Sequence, residues 1–184
     1  MTTDRYTPTA LQGAELVDDN GAWSLVFTRA FPQDREAVWS ALTEPDELRE
    51  WAPYTADRSL AAPGPVVLVM IDGDERQELP GEVVTADRPS LLEFTWGTDL
   101  LRWELSAHEG GTLLRLTHRL PEREQAAMVA AGWHICLDVA AELLAGSPVG
   151  PIVGAAALDH GWRDLNRQYA ARLDVPVIEP PIEG

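Results

Sequence analysis

The chain has 184 residues, which fits one domain of ordinary size. Its formal net charge is −16, so its surface is expected to repel phosphate backbones and anionic lipid headgroups. This charge argues against nucleic-acid binding. A single cysteine excludes an internal disulfide, and no uncharged apolar run is long enough to span a membrane or to serve as an export signal. These features predict a cytoplasmic protein without a membrane span.

The N-terminal part predicts a polar lead-in, one strand and two short helices. Residues 1–20 are polar and aperiodic, with a short edge strand near residues 14–17. Apolar and polar side chains alternate over 23–31, which predicts the first strand. Helical spacing predicts a helix over 34–42, and the Thr-Glu-Pro-Asp sequence at 43–46 predicts a second helix whose cap is its threonine.

The middle of the chain predicts five further strands joined by short connections. These strands are expected over residues 66–71, 78–86, 91–96, 101–105 and 112–120. Because hairpins join neighbouring strands, we expect an antiparallel sheet.

The C-terminal part predicts two helices and a tail. An Ala- and Leu-rich run over 122–145 contains no proline and is stopped by Gly-Ser-Pro, so it predicts a long helix. A last helix is expected over 159–173, with Asp159 as its cap, followed by a Pro-rich tail at 175–184. The fold class is therefore α+β, with about six strands whose apolar face the long helix must cover.

Several segments, taken in order, resemble a known superfamily. They are Phe31-Pro32 with Val38-Trp39, Leu42 to Pro45, Gly81 to Val83, Leu92 to Trp96, Gly111 to Leu114, and Ala131 to His134. This set resembles the helix-grip, START-like (SRPBCC) superfamily, in its branch of heat-shock-protein-90 ATPase activator homologues of the bacterial AHSA type. The resemblance implies a single domain over 21–174, in which a curved sheet wraps around the long helix and leaves an apolar tunnel. The fold hosts many functions, so the resemblance implies little about this one.

The predicted inner faces of the strands and of the long helix, together with Trp51 of the second short helix, supply a set of candidate ligand-binding residues. The set is Trp51, Met70, Phe94, Trp96, Trp103, Leu105, Leu116, His118, Met128, Gly132 and Cys136. The alternative is that these side chains only fill a core. The fold and the seven tryptophans in the chain favour a cavity for the group as a whole. Gly132 within a helix costs about 1 kcal/mol against alanine, which a close contact with the sheet or room for a ligand would explain.

Three positions could carry chemistry. His118 lies on an apolar face, where a neutral imidazole could bind a ligand or act as a base, although such a histidine more often has a structural partner. His134 and Asp138 are one helical turn apart, and we interpret them as a surface pair, since two ligands are too few for a metal site. We find no phosphate loop, dinucleotide turn, zinc motif or serine elbow, and expect no cofactor and no metal.

Three hypotheses remain. The first is a binding module, or carrier, for a small, largely apolar molecule. The second is a cyclase- or hydratase-type enzyme with His118 as acid or base, which the sequence favours less because no second polar group is evident. The third is a co-chaperone-like interaction domain that uses Trp51 and the short helices as a surface patch. A homodimer is left open.

Overall fold

The computed structural model describes residues 6–72 and 75–180, and all structural statements below refer to them. The strands are β1 Gly13–Asp19, β2 Ala22–Phe31, β3 Tyr54–Ala56, β4 Gly64–Asp72, β5 Glu75–Asp87, β6 Leu91–Trp96, β7 Asp99–His108 and β8 Gly111–Leu120. The helices are α1 Arg35–Thr43, α2 Pro45–Trp51, α3 Ala126–Leu144, α4 Ala155–Leu158 and α5 Trp162–Leu173.

The strands form one antiparallel sheet in the order β1-β2-β8-β7-β6-β5-β4-β3. The α+β class and the helix-grip arrangement are confirmed, but the sheet has eight strands instead of about six. One additional strand is β1, which corresponds to the edge strand expected near residues 14–17 of the lead-in and pairs with β2. The other is β3, whose three residues are too few for alternation to be visible in the sequence.

The two short helices follow the first long strand as predicted, with one difference in capping. Asp34 caps α1 by accepting a hydrogen bond from the backbone N–H of Ala37 (2.9 Å). The predicted cap of α2, Thr43, instead donates its hydroxyl back to the carbonyl of Trp39 within α1 (2.9 Å). Glu44 takes the cap position without a side-chain bond, and Pro45 occupies the first turn as expected.

Helix α3 is the core helix of the fold. It packs against β2, α1, α2 and α5, and twelve of its residues are buried. A 3₁₀ turn, Arg123–Gln125, precedes it where the sequence predicted the first helical turn. Within the described part of the chain, the stretch Arg123–Leu144 is the one helical segment long and apolar enough to cross a membrane, but most of it is buried inside this fold.

The last helix begins later than the sequence predicted. Asp159 does not cap it but ends the short helix α4, and α5 starts at Trp162 after Gly161, whose φ of 88° is a conformation that favours glycine. The tail then runs back along α5, where Asn166 donates to the carbonyl of Ile178 (3.0 Å). Residues 181–184 of the predicted tail lie outside the described residues.

A buried ionic cluster fixes the N-terminal segment to α3. Asp138 forms an ion pair with Arg29 of β2 and accepts hydrogen bonds from the hydroxyls of Tyr6 (2.7 Å) and Thr9 (2.7 Å). His134 lies 3.3 Å from the same carboxylate and 2.7 Å from the hydroxyl of Tyr169. The sequence interpretation of His134 and Asp138 as a surface pair is therefore wrong: their exposed fractions are 0% and 3%.

Hydrogen bonds keep the buried Asp138 in its charged form. Burial by itself would raise the pKa of this carboxyl group, but the bonds from His134, Thr9 and Tyr6 outweigh burial and hold the pKa well below its usual range. Burial and the bond to Asp138 raise the pKa of Tyr6. The cluster therefore contains a paired carboxylate and a protonated phenol.

Substitution of Asp138 tests the energetic role of this cluster. Asp138→Asn removes the charge that balances Arg29, whose side chain is only 10% exposed, and we expect a loss of about 3–5 kcal/mol in the free energy of unfolding. The control Glu142→Gln changes an exposed carboxylate on the same helix and should cost less than about 0.5 kcal/mol. Urea denaturation at pH 7 measures both, and equal losses would contradict this role.

The difference in free energy of unfolding between wild type and Asp138→Asn should depend on pH. Because the pKa of Asp138 is lower in the folded than in the unfolded chain, its contribution is complete above the unfolded value of about 4 and is lost as the pH falls below it. The stability difference between wild type and Asp138→Asn should therefore shrink between about pH 4 and pH 2.5. A difference that stays constant in urea titrations across this interval would contradict the assignment.

Candidate functional site

A pocket of about 820 Å³ lies beside α3, a volume suited to a small organic ligand. One wall is the face of α3 that carries Val129, Gly132, Trp133 and Cys136. The other walls come from the β6–β7 hairpin, from β8, from the segment 152–158, from α5 and from the tail. Most of the lining side chains are apolar.

Four of the eleven predicted ligand-binding residues line this pocket: Trp96, His118, Gly132 and Cys136. Five others are part of the core, with exposed fractions of 4% or less, namely Trp51, Phe94, Trp103, Leu105 and Leu116. Met70 and Met128 are partly buried but do not line the pocket. The alternation of apolar and polar residues placed these strand residues on the inner face of the sheet. The pocket, however, lies beside the middle of that face, so most of them do not reach it.

Aromatic packing explains why the middle of the inner face is filled. The ring of Trp103 stands edge-on to those of Trp51 (6.2 Å between centroids) and Trp133 (5.2 Å). Trp51 is fully buried and donates its indole N–H to the carbonyl of Ala41 (2.9 Å). The predicted surface patch around Trp51 is therefore wrong, because this side chain belongs to the core.

His118 of β8 lies at the pocket wall between two fixed partners. The indole N–H of Trp133 donates to its Nδ1 (2.9 Å), and its Nε2 lies 2.6 Å from a carboxylate oxygen of Asp99. An indole N–H can only donate, so Nδ1 must be unprotonated. The proton is then on Nε2, which donates to Asp99, and the imidazole is neutral.

This arrangement changes which residue can meet a ligand. Both ring nitrogens of His118 are engaged and its side chain is 2% exposed, whereas the side chain of Asp99 is 22% exposed. Of these two residues, the one whose polar group faces the pocket is therefore Asp99, and His118 positions its carboxylate. His118 holds no free lone pair with which to act as a base.

Sequence reasoning missed Asp99, although a signal was present. Asp99 pairs with Trp96 across the β6–β7 turn, and its parity along β7 is that of Leu101 and Trp103, which point inward. The predicted strand began at residue 101, so Asp99 was left in the turn. Extending the alternation by two residues places a carboxylate on the same face as His118.

Two pocket residues on α3 have contrasting properties. A Cβ added to Gly132 would meet no atom within 4 Å outside its own helix backbone, so this glycine borders open space. Burial raises the pKa of the Cys136 thiol to about 12, which keeps it protonated and makes it an apolar wall residue, not a nucleophile. Over the described residues, no cluster of three or more His, Cys, Asp and Glu could hold a metal ion.

Comparison with known proteins identifies similar sequences and folds. The family described as Activator of Hsp90 ATPase homolog 1-like protein matches residues 33–145. A conserved protein of unknown function from Enterococcus faecalis has 18% identity and a TM-score of 0.67, with 86% of this chain and 89% of that chain covered. CalU16 from Micromonospora echinospora has 18% identity and a TM-score of 0.62, with 87% and 95% covered. The AHSA1 protein from Silicibacter pomeroyi has 23% identity and a TM-score of 0.56, with 66% and 97% covered.

These structural similarities concern the fold. Every identity is below 25%, so no residue role is transferred from these proteins. No curated protein sequence matches the chain.

The assignment of the His118 tautomer can be tested directly. At neutral pH, ¹⁵N NMR should show Nε2 protonated and Nδ1 unprotonated, because Trp133 donates to Nδ1. Trp133→Phe keeps an aromatic ring but removes that donor, and should lower the free energy of unfolding by about 1–3 kcal/mol. Trp162→Phe, which changes another ring along the pocket, is the control and should cost less. A protonated Nδ1 in the wild-type protein would contradict the assignment.

Proposed function

We propose that this chain, which belongs to the family of Activator of Hsp90 ATPase homolog 1-like proteins, binds a small, largely apolar molecule in the pocket beside α3. The observation that carries the proposal is a cavity of about 820 Å³ with a mainly apolar lining and one carboxylate held in place by a buried histidine. Few polar groups in fixed positions, within an apolar wall, are typical of ligand pockets.

Gly132 supports this proposal independently. Glycine inside a helix costs about 1 kcal/mol relative to alanine, so its presence needs a reason. Close packing against a neighbouring element is not the reason, because the space beyond its Cα is open. Room for a ligand along α3 accounts for the glycine.

A second candidate function is catalysis in the same pocket. The observation in its favour is the 2.6 Å contact between His118 and Asp99. Such an enzyme needs a second polar group beside His118, and none was evident from the sequence. In such an enzyme Asp99 would be the group that exchanges a proton with the substrate, and His118 would position it. Activation of an ATPase, which the family description names, has weaker support, because Trp51 offers no exposed aromatic surface.

Filling the pocket at Gly132 tests the proposed binding function. Gly132→Met extends a side chain into the open volume and should lower the affinity for diphenylhexatriene, an uncharged fluorescent hydrocarbon, by at least about tenfold. Folding should be preserved, because methionine has a higher helix propensity than glycine. Fluorescence titration of the purified protein gives both dissociation constants.

Glu142→Met is the matched control. It adds the same side chain to the same helix at an exposed position outside this pocket, and should leave probe binding unchanged. A wild-type protein that does not bind the probe, or a Gly132→Met protein that binds it as well as wild type does, would contradict the proposed function.

A further inference from the structure

We infer that the molecule held in this pocket is an apolar amine, whose protonated nitrogen lies against the carboxylate of Asp99. This inference rests on the proposed function and adds the chemical class of the ligand. It follows from the charges around the pocket, from the state of His118 and from the aromatic side chains nearby.

In the described part of the chain, no charged side chain forms an ion pair with the carboxylate of Asp99. Over residues 6–72 and 75–180, the only ion-pair contact of its carboxylate is with His118, and that imidazole is neutral because Trp133 donates to Nδ1. Among the same residues, its second oxygen accepts one side-chain hydrogen bond, a long one of 3.4 Å from the hydroxyl of Thr98. Asp99 therefore presents a carboxylate to the pocket that a bound cation could pair with.

The cation that lines the pocket is already paired. Arg163 donates to Glu179 (3.0 Å), and Arg167 lies 3.6 Å from the other oxygen of that carboxylate. The positive charge of Arg163 is thus paired with Glu179 in the tail. An anionic ligand would meet the unbalanced charge of Asp99 inside a chain of net charge −16, so the electrostatics disfavour fatty acids and similar anions.

Aromatic side chains add to the preference for a cation. Trp96, Trp133 and Trp162 all line the pocket. The rings of Trp96 and Trp133 lie 5.9 Å apart, and each is about 6 Å from His118, which holds Asp99. Indole rings attract ammonium groups through their quadrupole, and a carboxylate beside several indoles is a suitable environment for an alkylammonium.

A neutral alcohol could also donate a hydrogen bond to Asp99, but it would leave the carboxylate charge uncompensated. Hydrogen bonds between two charged groups are stronger than those with one neutral partner. The amine is therefore expected to bind more tightly than an alcohol with the same apolar body, and the alcohol more tightly than the corresponding acid.

Competition among decylamine, 1-decanol and decanoate against diphenylhexatriene tests this order at pH 7, where the amine is protonated. In the wild-type protein the dissociation constant of decylamine should be at least about tenfold below that of 1-decanol, and decanoate should be the weakest. Asp99→Asn keeps the size of the side chain and should weaken decylamine by at least about tenfold, while 1-decanol changes by less than about threefold.

Glu104→Gln is the control for net charge. Glu104 lies on the outer face of the same strand, so its substitution changes the net charge equally and should leave all three affinities unaltered. Suppose that the probe binds to the wild-type protein but decylamine binds no more tightly than 1-decanol, or decanoate binds most tightly. The inference is then overturned while the proposed function stands. If the probe does not bind, the proposed function itself fails. The order of the three affinities in the wild-type protein tests the inference even if Asp99→Asn does not fold.

Discussion

Helix α3 has apolar or small side chains around nearly its whole circumference, and the remainder of the fold depends on covering them. Burying such a helix requires packing partners on several sides, which the sheet, α2 and α5 provide. Tyr6 and Thr9 of the N-terminal segment bind Asp138 on another side of α3. The strip that carries Val129, Gly132 and Cys136 is where this cover is incomplete, and the pocket lies there. The cavity is thus a consequence of how α3 is enclosed.

Two carboxylates near α3 illustrate how the same residue type serves different purposes. Asp138 is buried, paired with Arg29 and bonded to Tyr6 and Thr9, so its bonding capacity is used within the protein. Asp99 has a neutral imidazole as its main partner and is partly open to the pocket. The first arrangement stabilises the attachment of a chain segment to a helix. The second leaves an acceptor available, which is the property expected of a residue that meets a ligand.

Much of the fold could be predicted from the sequence, because alternation and helical spacing report which face of each element is apolar. The pocket could not be predicted in the same way. Trp96 and Trp103 occupy inner-face positions of neighbouring strands, yet only Trp96 borders the cavity, since the rings of Trp51 and Trp133 pack against Trp103. Burial of Asp138 likewise depends on Tyr6 and Thr9, more than 120 residues away in the sequence.

The hydrogen bond from Trp133 to His118 connects the fold to the chemistry of the pocket. It joins α3 to β8, and through His118 it reaches Asp99 at the start of β7, so the wall is in place before a ligand arrives. A carboxylate fixed in this way loses little conformational entropy on binding, which favours affinity. Because the same bond keeps the imidazole neutral, the carboxylate of Asp99 has no charged partner among the residues that the structure describes. The indole N–H of Trp133 on the core helix thereby determines which kind of ligand group can pair with Asp99.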